Sequence, residues 1–291
     1  MKKAQKKSTL TSELRIQLDK LYATFDHSFI YSDPIQLVKR FDDSQDQEIV
    51  ALVVTSLAFG QVQQIIKAGE LAIELMNHSP RRFVDTMEPE VEIKKWRGFY
   101  YRMIKHTDLL RLLYALKKIL NQVGSIGKWV SSQYQQEDAH LGVTWAKCVD
   151  EIRKIDLENW KWKRSKGIGF NHLLPNPVNK SACKRANLLL RWMVRKDQID
   201  LGLWDKLPAS KLIIPVDTHI QRIAYNIGLT NRTDLSWKTA IEITDKLRQL
   251  DPNDPVKYDF ALCRLGILNM CPKKRDMNKC NSCPIFDICR L

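Results

Sequence analysis

Residues 174–194 read LPNPVNKSACKRANLLLRWMV and combine an irregular segment with a helix. Pro175 and Pro177 block a continuous helix, because proline lacks a backbone N–H and its ring clashes with the preceding turn. Apolar residues then recur at helical spacing, which predicts a helix over residues 181–194. The stretch therefore predicts a turn that leads into a strong helix, with Lys184 near the start of that helix.

The rest of the chain is also helical in character, and period-two alternation between glycine-rich turns is hard to find. Asp217 or Thr218 can cap one helix, and Ser236 can cap another. Asp254 and Pro255 open a third. The remaining predicted segments are helices at 9–25, at 46–76 with a break near Phe59–Gly60, at 109–120 and at 145–155, and a basic, aromatic loop at 160–170. The sequence thus predicts an all-α fold.

Size and charge narrow the class of protein. At 291 residues the chain can form one large domain or two small ones, and 44% hydrophobic residues suffice to bury a core. Lys plus Arg number 47 and Asp plus Glu 33, so the formal net charge is +14. This excess suits a polyanionic partner, since Lys and Arg contacts to phosphate release counterions. A generally basic soluble protein is the simpler alternative, and charge alone does not decide between them.

The N-terminal sequence MKKAQKKSTLTSEL has lysines but no apolar run behind them, so neither a signal peptide nor a membrane anchor is predicted. No stretch approaches the roughly 20 apolar residues that a membrane-spanning helix needs. Seven cysteines without an export signal favour a reducing compartment. We therefore expect a cytoplasmic protein.

Four cysteines near the end of the chain form the pattern C-x8-C-x2-C-x5-C, and four thiolates this close together can surround one metal centre. They are Cys271, Cys280, Cys283 and Cys289. Zinc accepts the same ligands, and unrelated buried thiols are a weaker alternative because the segment is polar. The single CxxC pair and the short gaps favour an iron–sulfur cluster, since one short loop must reach several irons. The other three cysteines are interpreted as core or spectator thiols on helical faces: Cys148, Cys183 and Cys263.

Lys184 and Asp217 have simple structural explanations when each is considered alone. An aspartate at a helix start is usually an N-cap, and a lysine on an amphipathic helix is usually a solvated charge. Together with the cysteine loop, however, they match an order of motifs that is known from one protein superfamily. His219, two residues after Asp217, has no partner histidine at helical spacing. We therefore expect it to cap or pack rather than to bind a metal.

Residues from about 46 to 291 resemble the helix-hairpin-helix DNA glycosylase superfamily, which includes endonuclease III. The segment KRANLLL, which begins at Lys184, resembles the helix after the superfamily's hairpin, where a catalytic lysine comes first. Residues 216–220 (VDTHI) are similar to the catalytic-aspartate motif and form the most specific match. The cysteine loop resembles the 4Fe-4S loop with a longer first gap, and residues 46–67 resemble the early helix pair more weakly. The whole chain is also similar to a bacterial family of unknown function with the same SACKR and PxDTH signatures.

The hairpin departs from the superfamily pattern. The usual hairpin is glycine-rich, so that backbone amides approach a phosphate, whereas residues 174–179 contain no glycine. If Lys184 is the nucleophile, the hairpin is also longer by about one helical turn. Lys180 would restore the usual length but loses the Ala-Asn-Leu match, so we prefer Lys184 and keep Lys180 open. The separation of Lys184 from Asp217 is longer than in endonuclease III. This separation and the hairpin without glycine resemble the archaeal 8-oxoguanine glycosylases more than endonuclease III.

The resemblance implies a two-lobed fold. Residues 45–205 would form a helical barrel that ends in the hairpin, and residues 1–44 together with 206–291 would form a helical domain that carries the cysteines. A 4Fe-4S cluster, or zinc as the alternative, would be bound there. The partner would be double-stranded DNA with a damaged base, bound by a monomer. The hairpin residues that would contact it are Asn179, Lys180 and Ser181.

The implied reaction is excision of a damaged base, such as the oxidised purine 8-oxoguanine, with associated strand cleavage (AP-lyase activity). A neutral Lys184 amine would attack the sugar C1′ and form a Schiff base, and desolvation together with Arg185 would lower its pKa. Asp217 would stabilise the charge that develops on the sugar and activate the attacking amine or water. The base must leave the duplex first, and Phe59 and Gln61 are candidates to contact it or fill the gap.

Three alternatives stay open. A monofunctional glycosylase would use Asp217 to activate water, and Lys184 would only contact DNA. A non-catalytic DNA-binding protein would carry a structural metal cluster. A zinc protein unrelated to repair would hold one zinc ion through the four cysteines. For Phe59 and Gln61, a helix break and a solvated face explain the sequence at least as well.

Overall fold

The computed structural model describes the backbone of residues 2–155 and 168–291, and the side chains of residues 12–155 and 168–291. Residues 160–167 of the predicted basic, aromatic loop lie outside these ranges. The last three residues of that segment, 168–170, begin a helix.

In the part of the chain that is described, the protein is mostly helical with few strand residues, which confirms this level of the all-α prediction. The helices are α1 (Lys2–Thr24), α2 (Ile35–Val38), α3 (Ser44–Ser56), α4 (Val62–Leu75), α5 (Pro80–Thr86), α6 (Pro89–Lys95), α7 (His106–Val123), α8 (Ile126–Gln133), α9 (Leu141–Lys154), α10 (Ile168–Leu173), α11 (Lys184–Val194), α12 (Thr218–Asn226), α13 (Trp237–Arg248), α14 (Asp259–Ile267) and α15 (Met277–Cys280). Two short strands, β1 (Tyr100–Tyr101) and β2 (Ile104–Lys105), pair antiparallel. None of the described helices combines the length and the apolar character that crossing a membrane requires.

Two helices begin later than predicted, and each has a local cause. Helix α11 begins at Lys184, because Cys183 before it has a left-handed backbone with φ of +46°. Helix α14 begins at Asp259, because the residues after Pro255 form turns rather than a first helical turn. In both cases the predicted helix exists and only its first turn is lost.

The predicted break between the two early helices is confirmed. Helix α3 ends at Ser56 and α4 begins at Val62. Gly60 between them has φ of +103°, a conformation that other residues rarely adopt. A Cβ atom at this position would lie 2.9 Å from the Arg102 Nη1 atom, so the glycine also allows close approach of that side chain.

A small β-hairpin, residues 100–105, supports the loop between α3 and α4. Arg102 at its turn has φ of +53°. The Tyr101 hydroxyl donates a hydrogen bond to the Phe59 carbonyl, so the hairpin is attached directly to the loop. The sequence did not predict this element, because strands of two residues are too short to show period-two alternation.

A continuous hydrophobic core runs through the described helices. Five tryptophans are almost completely buried in it: Trp96, Trp129, Trp145, Trp192 and Trp204. Helix α11 packs against α3 and α9, so the helix that begins with Lys184 is central to the fold. Helix α1 packs against α14, which also packs against α12. The division into two lobes stays a prediction.

Candidate active site

Lys184 and Asp217 meet at the starts of two helices. Lys184 is the first residue of α11, and Asp217 is the N-cap of α12. The Asp217 Oδ1 atom accepts hydrogen bonds from the backbone N–H groups of His219 and Ile220, at 2.9 and 3.0 Å. The Asp217 Oδ2 atom lies 3.3 Å from the Lys184 Nζ atom. The helix start therefore fixes the carboxylate, and its second oxygen is left to face the amine.

This ion pair lies in a cleft of about 500 Å³, a volume typical of small-molecule binding sites. The Lys184 side chain is 28% exposed and the Asp217 side chain 20% exposed, so both can be reached from the cleft. The lining residues come from segments that are far apart in sequence, within 33–34, 58–65, 184–191, 215–219 and 259–269. The cleft therefore exists only in the folded chain.

The surroundings of the ion pair shift both pKa values. Burial lowers the pKa of Lys184 and the Asp217 carboxylate raises it, and the net pKa lies above the ordinary value. Burial raises the pKa of Asp217, but Lys184 and the backbone N–H of Ile220 lower it, and the net pKa lies below the ordinary value. Burial lowers the pKa of Lys184 as predicted, but the prediction of a net lowered pKa is wrong for this state of the protein, because the adjacent carboxylate outweighs burial.

Arg185 is engaged outside the ion pair. Its Nη1 atom donates a hydrogen bond of 2.8 Å to the Ser56 carbonyl, and its guanidinium lies 5.0 Å from the centroid of the Phe59 ring. Burial lowers the pKa of Arg185 to about 10. The side chain therefore fastens the start of α11 to the end of α3.

The two residues proposed to contact a base have different positions. Gln61 is exposed and lines the cleft. Phe59 is half-buried, packs edge-on against Tyr101 and His172, and is not one of the lining residues. The structure thus brings Gln61 to the Lys184–Asp217 cleft, whereas the Phe59 ring packs against Tyr101 and His172 and does not line the cleft.

The predicted hairpin is a 3₁₀ turn, Pro177–Asn179, between α10 and α11. The backbone N–H groups of residues 178–180 all donate to oxygens of Asn176 or Pro177, at 2.9 to 3.0 Å. These amides are therefore used within the hairpin and do not project as the amides of a glycine-rich hairpin do. The residues predicted to contact DNA are all exposed: Asn179, Lys180 and Ser181.

Lys180, the alternative nucleophile, lies outside the cleft. Its backbone is left-handed with φ of +62°, and its carbonyl accepts the Trp237 N–H at 2.9 Å. Ser181 forms an isolated antiparallel bridge with Ser236. These contacts attach the hairpin to the start of α13. Of the two candidate lysines, Lys184 is the one beside Asp217.

The cleft also contains buried charged residues that the sequence analysis did not single out: Asp33, Arg191, Asp259 and Arg264. Lys184, Leu188 and Arg191 have the i, i+4, i+7 spacing that places them on one helical face. From this spacing, Arg191 could have been predicted to lie on the same side of α11 as Lys184. No local pattern links the other three to Lys184. They become neighbours only through the packing of α2, α11 and α14.

Arg191 and Arg195 join several buried carboxylates behind the ion pair. Arg191 forms a hydrogen bond with the Asp259 Oδ2 atom and lies 3.1 Å from Asp200 Oδ1. Arg195 binds Asp200 at 3.0 Å and Asp254 at 2.7 Å. Arg195 also pairs with Asp197, so the two guanidinium groups serve four carboxylates. The network fixes the inner face of α11 against the residues around α14.

The three remaining cysteines have distinct positions. Cys148 is fully buried on α9, as predicted for a core thiol. Cys183 is the N-cap of α11 rather than a residue on a helical face. Cys263 lines the cleft, and burial raises its pKa to about 12, so the thiol is protonated at neutral pH.

The four cysteines of the C-terminal loop line one small, largely apolar pocket against α12, which we name the cysteine pocket. None of them forms a disulfide. Arg222 and Arg275 donate to the carbonyls of Cys271 and Cys289, at 2.9 and 3.2 Å. Among the described residues, no three His, Cys, Asp or Glu side chains are close enough to hold a metal ion. The ligand type and the shared pocket fit a thiolate-bound centre, whereas the separation of the sulfur atoms is not that of a formed site.

The fold and site define a helical protein with a lysine–aspartate cleft and a separate cysteine pocket. The chain belongs to the family described as "Protein of unknown function (DUF2400)", whose model matches residues 33–268. This span contains both Lys184 and Asp217 and ends before the cysteine loop. No curated protein and no solved structure matches the chain.

Proposed function

We propose that this protein is a DNA glycosylase that excises a damaged base with Lys184 as nucleophile and cleaves the strand through AP-lyase chemistry. The observation that carries the proposal is the 3.3 Å approach of the Lys184 amine to the Asp217 carboxylate in a cleft that a nucleobase could enter. An amine and a carboxylate in contact are the two groups that Schiff-base glycosylase chemistry uses. The formal net charge of +14 suits a DNA substrate.

The proposed reaction begins with a proton transfer. In the resting ion pair Lys184 is protonated, so Asp217 must accept its proton before the amine can attack C1′. The amine then forms a bond to C1′, the glycosidic bond breaks, and the bonding electrons leave with the base. Opening of the sugar gives a Schiff base on Lys184, from which β-elimination cuts the strand. Asp217 is held by its N-cap hydrogen bonds throughout, so no reorganisation of the carboxylate is needed.

We propose an oxidised purine, such as 8-oxoguanine, as the base that is removed. The target would be everted from double-stranded DNA into the cleft, and Gln61 on its wall would contact it. The exposed hairpin residues Asn179, Lys180 and Ser181 would bind the backbone through side chains, since the hairpin amides are already used.

We further propose that the four cysteines hold a 4Fe-4S cluster, with zinc as the alternative. A cluster bound there would fix the C-terminal loop and its lysines against α12. Asp217 is the N-cap of this same helix. Metal analysis of purified protein distinguishes the two: about four irons with sulfide per chain, or about one zinc.

Borohydride trapping tests the nucleophile. Wild-type protein is incubated with an 8-oxoguanine duplex and with an abasic duplex, beside Lys184→Gln, Lys180→Gln and Asp217→Asn. We expect a covalent adduct with wild type and Lys180→Gln, and none with Lys184→Gln. Asp217→Asn should slow adduct formation by about 100-fold or more. An adduct that is lost in Lys180→Gln and kept in Lys184→Gln would contradict the assignment.

One observation favours a second candidate, a monofunctional glycosylase in which Asp217 activates water. The raised pKa of Lys184 keeps its amine protonated, and a protonated amine is not a nucleophile. In that case the wild-type protein releases the base but forms no adduct. Binding with steep salt dependence and no base release from any lesion would instead indicate a non-catalytic DNA-binding protein.

A further inference from the structure

A second carboxyl group lies in the same cleft as Asp217. Asp259 is the first residue of α14, lines the cleft, and is only 2% exposed. Its Oδ2 atom accepts a hydrogen bond from Arg191. Among the described residues, its Oδ1 atom has no hydrogen-bond partner. A buried carboxyl oxygen without a partner is energetically unfavourable, so its position beside the cleft needs an explanation.

The buried network does not account for this oxygen. Arg191 is shared between Asp259 and Asp200, and Asp200 is also bound by Arg195. A single bond from Arg191 to Oδ2 is enough to fix the orientation of the Asp259 carboxyl group, and Oδ1 adds nothing to that network. The Oδ1 atom is itself buried, but it belongs to a residue that lines the cleft.

We propose that Asp259 hydrogen-bonds the base to be excised and donates the proton that the base takes up as it leaves. This role rests on the proposed glycosylase function and adds a third catalytic residue to it. When the C1′–N bond breaks, its electron pair stays on the base nitrogen. The Asp259 proton moves onto the base, the Lys184 amine forms the new bond to C1′, and Asp217 keeps the proton taken from Lys184. Asp259 is left as a carboxylate and is reprotonated from solvent after the base departs.

The electrostatics of the cleft agree with different roles for Asp259 and Asp217. Burial raises the pKa of Asp259 to about 6, Arg191 opposes this rise, and the carboxylates of Asp217 and Asp200 add to it. The pKa of Asp217 is lowered. Two neighbouring carboxyl groups whose pKa values are driven apart are the usual arrangement of an acid and a base. Cys263 also faces this region, but its raised pKa keeps it neutral.

The first test compares two reactions of one variant. Asp259→Asn keeps the shape of the side chain and removes the proton donor. Single-turnover base release is measured on an 8-oxoguanine duplex, or on another lesion duplex that the wild-type protein cleaves, and adduct formation is measured on an abasic duplex. We expect base release to fall by about 100-fold or more. The loss of adduct formation should be at least about tenfold smaller, because an abasic site has no base to protonate.

The matched control is Asp254→Asn. Asp254 is also an arginine-paired aspartate, but it does not line the cleft, and base release should stay within about twofold of wild type. Thermal unfolding of both variants shows whether the fold is kept. If Asp259→Asn does not fold, the wild-type pH profile of base release provides the test without any variant.

The pH profile is a readout that a purely structural role would not change. In the wild-type protein, base release should decrease as pH rises above about 6, where Asp259 loses its proton, and this decrease should be absent in Asp259→Asn. Equal base release by wild type and Asp259→Asn, or a wild-type rate that does not fall above pH 6, would contradict the role of Asp259. Neither outcome would contradict the glycosylase function. Wild-type protein that neither releases a base nor forms an adduct with abasic DNA would contradict the glycosylase function, and the role of Asp259 with it.

Discussion

At the scale of single residues, Asp217 has two tasks that use different oxygens. Its Oδ1 atom caps α12, and its Oδ2 atom pairs with Lys184. Because the cap fixes the carboxylate beside the amine, it also fixes the charge state of Lys184. Asparagine caps helices about as well as aspartate, so Asp217→Asn removes the charge while it keeps the helix start.

This arrangement predicts the direction of a pKa change. Asp217→Asn should lower the pKa of Lys184, because the carboxylate that raises it is gone and burial remains. The pKa can be followed by NMR of reductively ¹³C-methylated lysines, with Asp254→Asn as the control. A Lys184 pKa that is the same in both variants and in wild type would show that the ion pair does not control the amine.

The same pair predicts how stability depends on pH. The pKa of Lys184 is raised on folding, so its stabilisation is present below its unfolded pKa of about 10.4 and is lost as pH rises through the folded value. The pKa of Asp217 is lowered, so its stabilisation is present above about 3.9 and is lost as pH falls through the folded value. Denaturant unfolding of wild type and Asp217→Asn should differ at pH 7 and converge at both extremes. A difference that does not change with pH would contradict the ion-pair contribution.

At the scale of residues, those that stand in a short sequence motif could be predicted as candidate site residues. Lys184 and Asp217 each stand in a short motif, and both could be predicted. Asp259 has no such motif and joins the cleft only through the packing of α14. The direction of the Lys184 pKa shift could not be predicted either, because it depends on the distance to Asp217 in the folded chain.

At the scale of elements, the hairpin before α11 presents side chains rather than amides. Its backbone N–H groups are satisfied internally, so we expect Lys180 to supply its main contact to phosphate. Lys180→Gln should weaken DNA binding uniformly across sequences and reduce the slope of log affinity against log salt by about 0.9. Fluorescence anisotropy at several salt concentrations measures both, and Lys196→Gln, which does not lie in the hairpin, is the control. An unchanged slope would exclude a phosphate contact by Lys180.

Helices with strong apolar periodicity could be predicted, and their first turns could not. The start of α11 depends on the left-handed backbone of Cys183 and on the bridge between Ser181 and Ser236, a contact with the distant segment before α13. The β-hairpin at residues 100–105 is likewise supported by a partner loop that is distant in sequence. Such features depend on tertiary contacts and leave little pattern in a short window of sequence.

At the scale of the whole molecule, the cysteine pocket lies at one end of α12 and the Lys184–Asp217 cleft at the other. Cys280→Ser should remove the bound metal and lower the melting temperature, whereas Cys148→Ala, which leaves the pocket unchanged, should keep the metal. Metal analysis and thermal unfolding measure the two effects. Full metal content in Cys280→Ser would contradict the proposed ligand set. The cysteine spacing predicted that these thiols share one location, but the choice between iron–sulfur and zinc is not encoded in spacing alone.

The most direct measurement is to identify the residue that becomes joined to DNA. Wild-type protein is reduced with borohydride on an abasic duplex, digested, and sequenced by mass spectrometry. We expect the nucleotide-bearing peptide to carry its modification on Lys184, beside Asp217. A modification on Lys180, on another lysine, or on none would contradict it.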